Sequence, residues 1–192
     1  MKNVLYEVEG PGCAVLEGGS WGSERECAFC GSTRSVQIKN LSAELICPPP
    51  RNVCTPIAEV LVTLDLARQL EEKHPLGMYL QPVETDWYGG QQIHYDDWGP
   101  PPSLVQIRST QILHAAPQSR SYGQCPHHAN GITRPLSVLT PKEWGEYGVW
   151  IVYEGGGILL FTKALRDIFA AADADLTFIE VPCVEEEMNN TA

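Results

Sequence analysis

The sequence predicts a mixed α+β protein with more strands than helices, held together by two cysteine-bearing knuckles set far apart in the chain. Three observations carry this reading. The turn Cys27-Ala28-Phe29-Cys30-Gly31 finds its spacing repeated once, at Cys125-Pro126-His127-His128. A strand–helix–strand pattern begins near Val60, and a second of matching length begins near Ile158. Between these two units lies a β-rich middle with its own composition.

The knuckle makes a physical demand. Two cysteines three apart on a tight turn point their sulfurs into one small volume, and the glycine that follows suits a left-handed backbone. Such a turn supplies half of a tetrahedral zinc site. Cys125 and His128 repeat the separation of Cys27 and Cys30, so the expected site is a structural Cys3His zinc centre made by Cys27, Cys30, Cys125 and one imidazole. His128 is favoured by position, with His127 as the alternative. A redox dithiol is the competing reading, but that chemistry expects a helix starting at the motif. Here Ser32-Thr33-Arg34-Ser35 and the strand-like Val36-Gln37-Ile38 follow instead.

The chain has 192 residues, 43% of them hydrophobic, enough for one sizeable core or two small lobes that share an interface. We read 1–183 as a single domain, or as two tightly packed lobes joined by the zinc site (27–30 with 125–128). Residues 184–192 read as an acidic, disordered tail. The net charge of −11 argues against binding a nucleic-acid backbone, where basic side chains must neutralise phosphate. No apolar run has the length of a signal peptide or a membrane span, so the expected location is the cytoplasm. Seven cysteines, an odd number, argue against a disulfide framework; Cys47 and Cys54 flank the turn-rich Pro48-Pro49-Pro50-Arg51-Asn52 and could come close in space, but Cys13, Cys47, Cys54 and Cys183 are expected as buried thiols.

In chain order, Lys2 to Val8 reads as a short strand and Gly10-Pro11-Gly12 and Gly18-Gly19 as loops. Trp21 stands where it could pack over the first knuckle. Val36-Gln37-Ile38-Lys39 alternates like a half-buried strand, and Pro48 to Pro56 reads as an irregular connector. Glu59 to Val62 is strand-like, Thr63 suits an N-cap, and Leu66 and Leu70 share one helical face. His74-Pro75 ends that helix and Met78-Tyr79-Leu80 returns as a strand. Leu104 to His114 is again strand-like, Thr140-Pro141-Lys142-Glu143 could open a short helix, and Val149 to Tyr153 reads as a buried strand. Ile158 to Phe161, Thr162, Leu165 and Phe169, and Thr177-Phe178-Ile179 then repeat the earlier unit.

From Gly77 to Ile107 there is no Lys or Arg. Glu84, Asp86, Asp96 and Asp97 alternate there with Trp87, Tyr88, Tyr95 and Trp98, and Gly89-Gly90 reads as a hairpin tip. Aromatic residues bury much area at low entropy cost and so dominate binding hot spots, which makes this stretch the candidate contact surface for a partner. The alternative is that Trp87 and Trp98 are core residues that pin a long hairpin. Exposure separates the two.

Taken together, the knuckle with Cys27, Cys30 and Gly31, the strand leading to Cys125-Pro126, and the closing strand–helix–strand from Leu165 to Val181 resemble the double-CXXCG family of predicted bacterial immunity proteins. That family is known from paralogous sets in myxobacteria, beside toxins delivered between neighbouring cells. The resemblance covers Trp21 to Val181. The second motif departs from the family pattern, with His128 in the place of a cysteine and Ala129 in the place of glycine. The resemblance implies a zinc-stabilised cytoplasmic protein that binds and neutralises a cognate toxin, which the acidic surface would suit if the toxin is basic, with no catalysis of its own. The alternatives are a zinc-dependent hydrolase and a zinc-ribbon regulatory protein. The hydrolase lacks a His-Glu-x-x-His helix or other evident base, and His74, His94 and His114 are scattered.

Overall fold

Runs of β-branched and aromatic residues broken by glycine and proline make strands of much of this chain. A computed structural model describes residues 4–10, 12, 14–16, 18–31, 33–46, 52–56, 59–90, 98–122, 125, 129, 131–154 and 156–185. The first half runs through β1 (Val4–Glu9), β2 (Ala14–Leu16), β3 (Trp21–Arg25), β4 (Thr33–Gln37), β5 (Leu41–Leu45), β6 (Val53–Cys54), β7 (Leu61–Thr63), α1 (Leu64–Glu71) and β8 (Met78–Trp87). The second half repeats that order: β9 (Leu104–Ser109), β10 (Ile112–Leu113), β11 (Arg120–Ser121), β12 (Gly131–Ile132), β13 (Val138–Leu139), β14 (Val149–Val152), β15 (Leu159–Phe161), α2 (Lys163–Ala172) and β16 (Thr177–Val184). Even the 3-10 turns before the third strand correspond, Gly18–Ser20 in one half and Pro117–Ser119 in the other. The protein is thus mixed and strand-rich, with two α-helices among the described residues.

The strands form two six-stranded sheets, β10-β14-β15-β1-β16-β13 and β2-β5-β8-β9-β7-β6, and two small hairpins, β3-β4 and β11-β12. Five positions of the large sheets match in order and direction. β5 lies parallel to β8, and β9, β7 and β6 follow antiparallel; β13 lies parallel to β16, and β1, β15 and β14 follow antiparallel. The register matches too: Met78 pairs with Ser109 and Val83 with Leu104, as Thr177 pairs with Glu9 and Pro182 with Val4.

The two expected strand–helix–strand units take a different form from the one read in the sequence. β7 and β8 flank α1 in sequence but are not neighbours, and neither are β15 and β16 around α2. Each helix carries the chain over one strand position, and the opening strand of the opposite half fills it: β9 lies between β7 and β8, and β1 between β15 and β16. The halves have exchanged their first strands.

The core follows from this exchange. One cluster draws on both sheets and both helices, with Val8, Val62, Leu66, Leu70, Val105, Ile107, Phe161, Leu165 and Phe169 buried in it. Full burial of each large side chain contributes about 1.5–3 kcal/mol. The opposite strand faces build a separate cluster in each half, around Trp150 in one and Trp87 in the other.

Several local expectations are corrected. Thr63 and Thr162 stand at the N-cap positions, but neither side chain caps its helix. The Thr63 hydroxyl donates to Asn52 Oδ1 (3.2 Å), and Thr162 Oγ1 accepts from the Gly148 amide (3.3 Å), so each ties its helix start to a neighbouring segment. The Pro48–Pro56 connector contains β6, which forms because Val53 and Cys54 pair with Val62 and Leu61. The first hairpin strand ends at Gln37, leaving Ile38 exposed beyond it. Residues 140–143 form no helix. Met78-Tyr79-Leu80 opens a ten-residue strand that reaches Trp87, and Gly89 sits in a 3-10 turn with φ 73°.

Candidate metal centre

The β3-β4 hairpin pairs from Trp21 with Gln37 to Arg25 with Thr33, and the knuckle is its tip. The Gly31 amide donates to the Cys27 carbonyl (2.9 Å) and Gly31 takes φ +73°, the left-handed conformation that lets the turn close. The shorter β11-β12 hairpin, Arg120 with Ile132 and Ser121 with Gly131, spans the residues that include Cys125. The tips of these corresponding hairpins meet. Cys27 Sγ and Cys125 Sγ are 3.8 Å apart, and the sulfurs of Cys27, Cys30 and Cys125 all lie within 4.8 Å of one another. Two thiolates on one tetrahedral zinc with bonds near 2.3 Å stand about 3.8 Å apart. Cys27 is buried, Cys125 half-buried and Cys30 exposed, and none of the three is in a disulfide. The cluster can hold a metal ion. His127 and His128 lie outside the described residues.

The first hairpin is braced against the second half. Arg34 pairs with Glu24 (3.0 Å) across the hairpin and lies over the Tyr153 ring, 5.1 Å from its centroid. The hydrogen bond to Glu24 is the main cause of a raised Arg34 pKa. Trp21, expected to cover the knuckle, packs instead against the Trp87 cluster.

The other cysteines divide. Cys183 is a half-buried thiol whose pKa burial pushes up to about 11. Cys54, expected as a thiol, is disulfide-bonded. Seven cysteines leave room for such a pair beside the three that cluster.

The proposed contact stretch splits along β8. Trp87 is fully buried, its indole Nε1 donating to the Gly99 carbonyl (2.8 Å), so it is a core residue and not a contact. Trp98 packs edge-on against it at 5.2 Å and is half-buried. Strand alternation sends Glu84 and Asp86 to the opposite, exposed face, and Tyr88 is also exposed. That face, which packs Met78 and Leu80 on the shared core, thus runs out into solvent carrying carboxylates. Glu44 on β5 lies opposite Asp86 and adds a third. Tyr95, Asp96 and Asp97 lie outside the described residues, as does His94. His74 and His114 are exposed, His114 Nδ1 standing 3.1 Å from Glu154.

One group escaped the sequence reading. Gln106 is fully buried, and its Nε2 donates to Glu59 Oε2 (2.5 Å) and to Gln37 Oε1 (3.0 Å). Arg108 Nη1 donates to the same Gln37 oxygen. The signal was present as polar residues inside apolar strand runs, Glu59 before Val60-Leu61-Val62 and Gln106 within Leu104-Val105-Gln106-Ile107. No helix among the described residues is long and apolar enough to cross a membrane. No family model, no curated protein and no solved structure matches the chain.

Proposed function

We propose that this is a zinc-stapled binding protein of the immunity type, which captures a basic toxin protein and performs no catalysis. The observation that carries the reading is the convergence of three cysteine sulfurs from two corresponding hairpins within 4.8 Å. Three thiolates and one imidazole are an ordinary structural zinc set, and a closed shell of four ligands stiffens a scaffold. Correspondence of the halves supports His128 as the fourth ligand, because Cys125 stands where Cys27 stands and position 128 falls where Cys30 falls. The metal would then fasten the first hairpin of one half to that of the other. For capture, the support is the exposed face with Glu44, Glu84 and Asp86 on a chain of net charge −11.

Protein purified without chelator should carry one zinc per chain, and Cys125→Ser should lose both the metal and much of the stability, since binding energy in such sites is folding energy. A metal-free yet stable wild-type protein would defeat the zinc reading. Cobalt substitution reports the coordination: three protein ligands plus water in place of four would turn the reading toward hydrolysis. Capture is tested against the toxin-like protein encoded beside this gene. Glu84→Gln combined with Asp86→Asn should slow association by about tenfold at low salt, an effect that shrinks as salt rises. Unchanged association at low salt would remove this face from the interface.

A further inference from the structure

The outer face of the first sheet carries apolar side chains that the fold leaves in water. Val15 on β2, Ile46 just past β5 and Tyr88 just past β8 are 45%, 47% and 52% exposed. Strand register brings them together. Val15 lies opposite Glu44, which lies opposite Asp86. Leu45 lies opposite Trp87, so the next residues, Ile46 and Tyr88, stand side by side, and the turn that holds Tyr88 packs beside β5. Val15 is diagonal to Ile46, within reach across an antiparallel pair. Alternation turns Ala14, Leu45 and Trp87 into the core and this set outward. Glu44 and Asp86 share a row with Val15, and Glu84 stands one row beyond, beside Ser42. The fold does not demand carboxylates here: on β13 and β16, the matching parallel strands of the second half, Leu139 lies opposite Val184. Single exposed apolar residues are ordinary on a protein surface, but three adjoining ones beside carboxylates mark a contact site.

We propose that Val15, Ile46 and Tyr88 are the apolar anchors of the surface that captures a basic protein, with Glu44, Glu84 and Asp86 as its charged flank. The inference rests on the capture reading above and adds to it the residues that hold the partner once it has arrived. Charge decides the occupant. A second copy of this chain would bring the same carboxylates face to face, and a nucleic acid or an anionic lipid surface would meet them with phosphate. A protein whose lysine or arginine side chains flank an apolar depression satisfies both kinds of side chain at once. The two kinds then divide the work. Carboxylates at the rim steer the approach and act on association, whereas apolar contacts buried in the complex, tyrosine above all, set how long it lasts.

The test uses the full chain and the toxin-like protein encoded beside this gene, with association and dissociation followed by biolayer interferometry. Ile46→Ser combined with Tyr88→Ser should speed dissociation about tenfold or more, keep association within about twofold, and leave Tm unchanged. Ile112→Ser, which removes another exposed isoleucine from the edge of the other sheet, should change neither rate. Capture by the wild type with unchanged dissociation in the double variant would overturn this surface and leave the capture reading standing. No capture by the wild type would overturn both. Self-association of the wild type that the double variant abolishes would assign the face to a second copy and so overturn the proposal. Should the double variant lose stability, Ile46→Lys decides: a cation set against a basic partner should weaken capture about tenfold, and unchanged affinity would count against the site.

Discussion

At the scale of the residue, Glu59 is a buried carboxyl among apolar neighbours. It is 8% exposed, and burial raises its pKa above the usual carboxylate range, against the opposing pull of the Gln106 hydrogen bond and the Arg108 charge. The unfolded chain ionises this carboxyl near pH 4.3 or so, whereas the folded chain holds its proton to higher pH. Between those two values the folded state binds more protons, so the stability Glu59 contributes is whole below the unfolded value and is lost as pH rises through the folded one. Glu59→Gln keeps an acceptor for Gln106 and removes the buried charge. It should therefore raise Tm relative to wild type near neutral pH, with the gap closing as pH falls below the carboxylate range. A gap that widens toward acid pH would mean that Arg108 holds Glu59 ionised.

At the scale of the element, β1 shows what holds an exchanged strand in place. Its backbone pairs with β15 on one side and β16 on the other, and Leu5 and Val8 point into different clusters. One charged contact fixes it further. Glu7, nearly buried, receives two hydrogen bonds from Arg134, Nη1 to Oε2 at 2.5 Å and Nη2 to Oε1 at 2.7 Å. This bidentate pair joins the opening strand of the first half to the segment leading into β13 of the second, and Glu7 is the main cause of the raised Arg134 pKa. Glu7→Gln keeps the shape but loses the charge pairing. It should lower the urea midpoint by the equivalent of about 2 kcal/mol without changing the m-value, because the same surface is exposed on unfolding. A loss within a few tenths of a kcal/mol would show that strand pairing alone seats β1.

At the scale of the whole molecule, the exchange makes the halves interdependent. Without β9, the first sheet half would leave β7 and β8 with unpaired edges facing an empty strand position; without β1, the same holds for β15 and β16. Open edges of this kind leave backbone groups unsatisfied and invite aggregation. Residues 1–100 and 101–192 expressed separately should each lack cooperative unfolding by circular dichroism. Mixed or co-expressed, they should recover it, in the manner of a strand-swapped pair. Independent folding of either half would show that its own first strand can fill the gap and that the halves are not interdependent. The shared core adds to the same coupling, because both helices pack in it and neither half can close it alone.

Local structure was largely legible in the sequence by itself. Leu66 with Leu70 and Leu165 with Phe169 marked the two helices because a 3.6-residue period is written into consecutive residues. Cys27-Ala28-Phe29-Cys30-Gly31 marked a knuckle because its turn closes within five residues, and Cys125 was found by spacing. Tertiary structure decided the rest. Trp87 read equally as contact or core, and it is core because its place on β8 turns it toward Leu41, Leu45 and Leu104. Cys54 joined a disulfide, and Glu59 met Gln106 and Arg108 from the opposite half, through approaches that no local pattern encodes. Strand exchange is the plainest case. Backbone hydrogen bonds carry no side-chain signature, so β1 and β9 would read the same whether they paired within their own halves or across them. What chose between those pairings was the single shared core that the exchanged arrangement encloses.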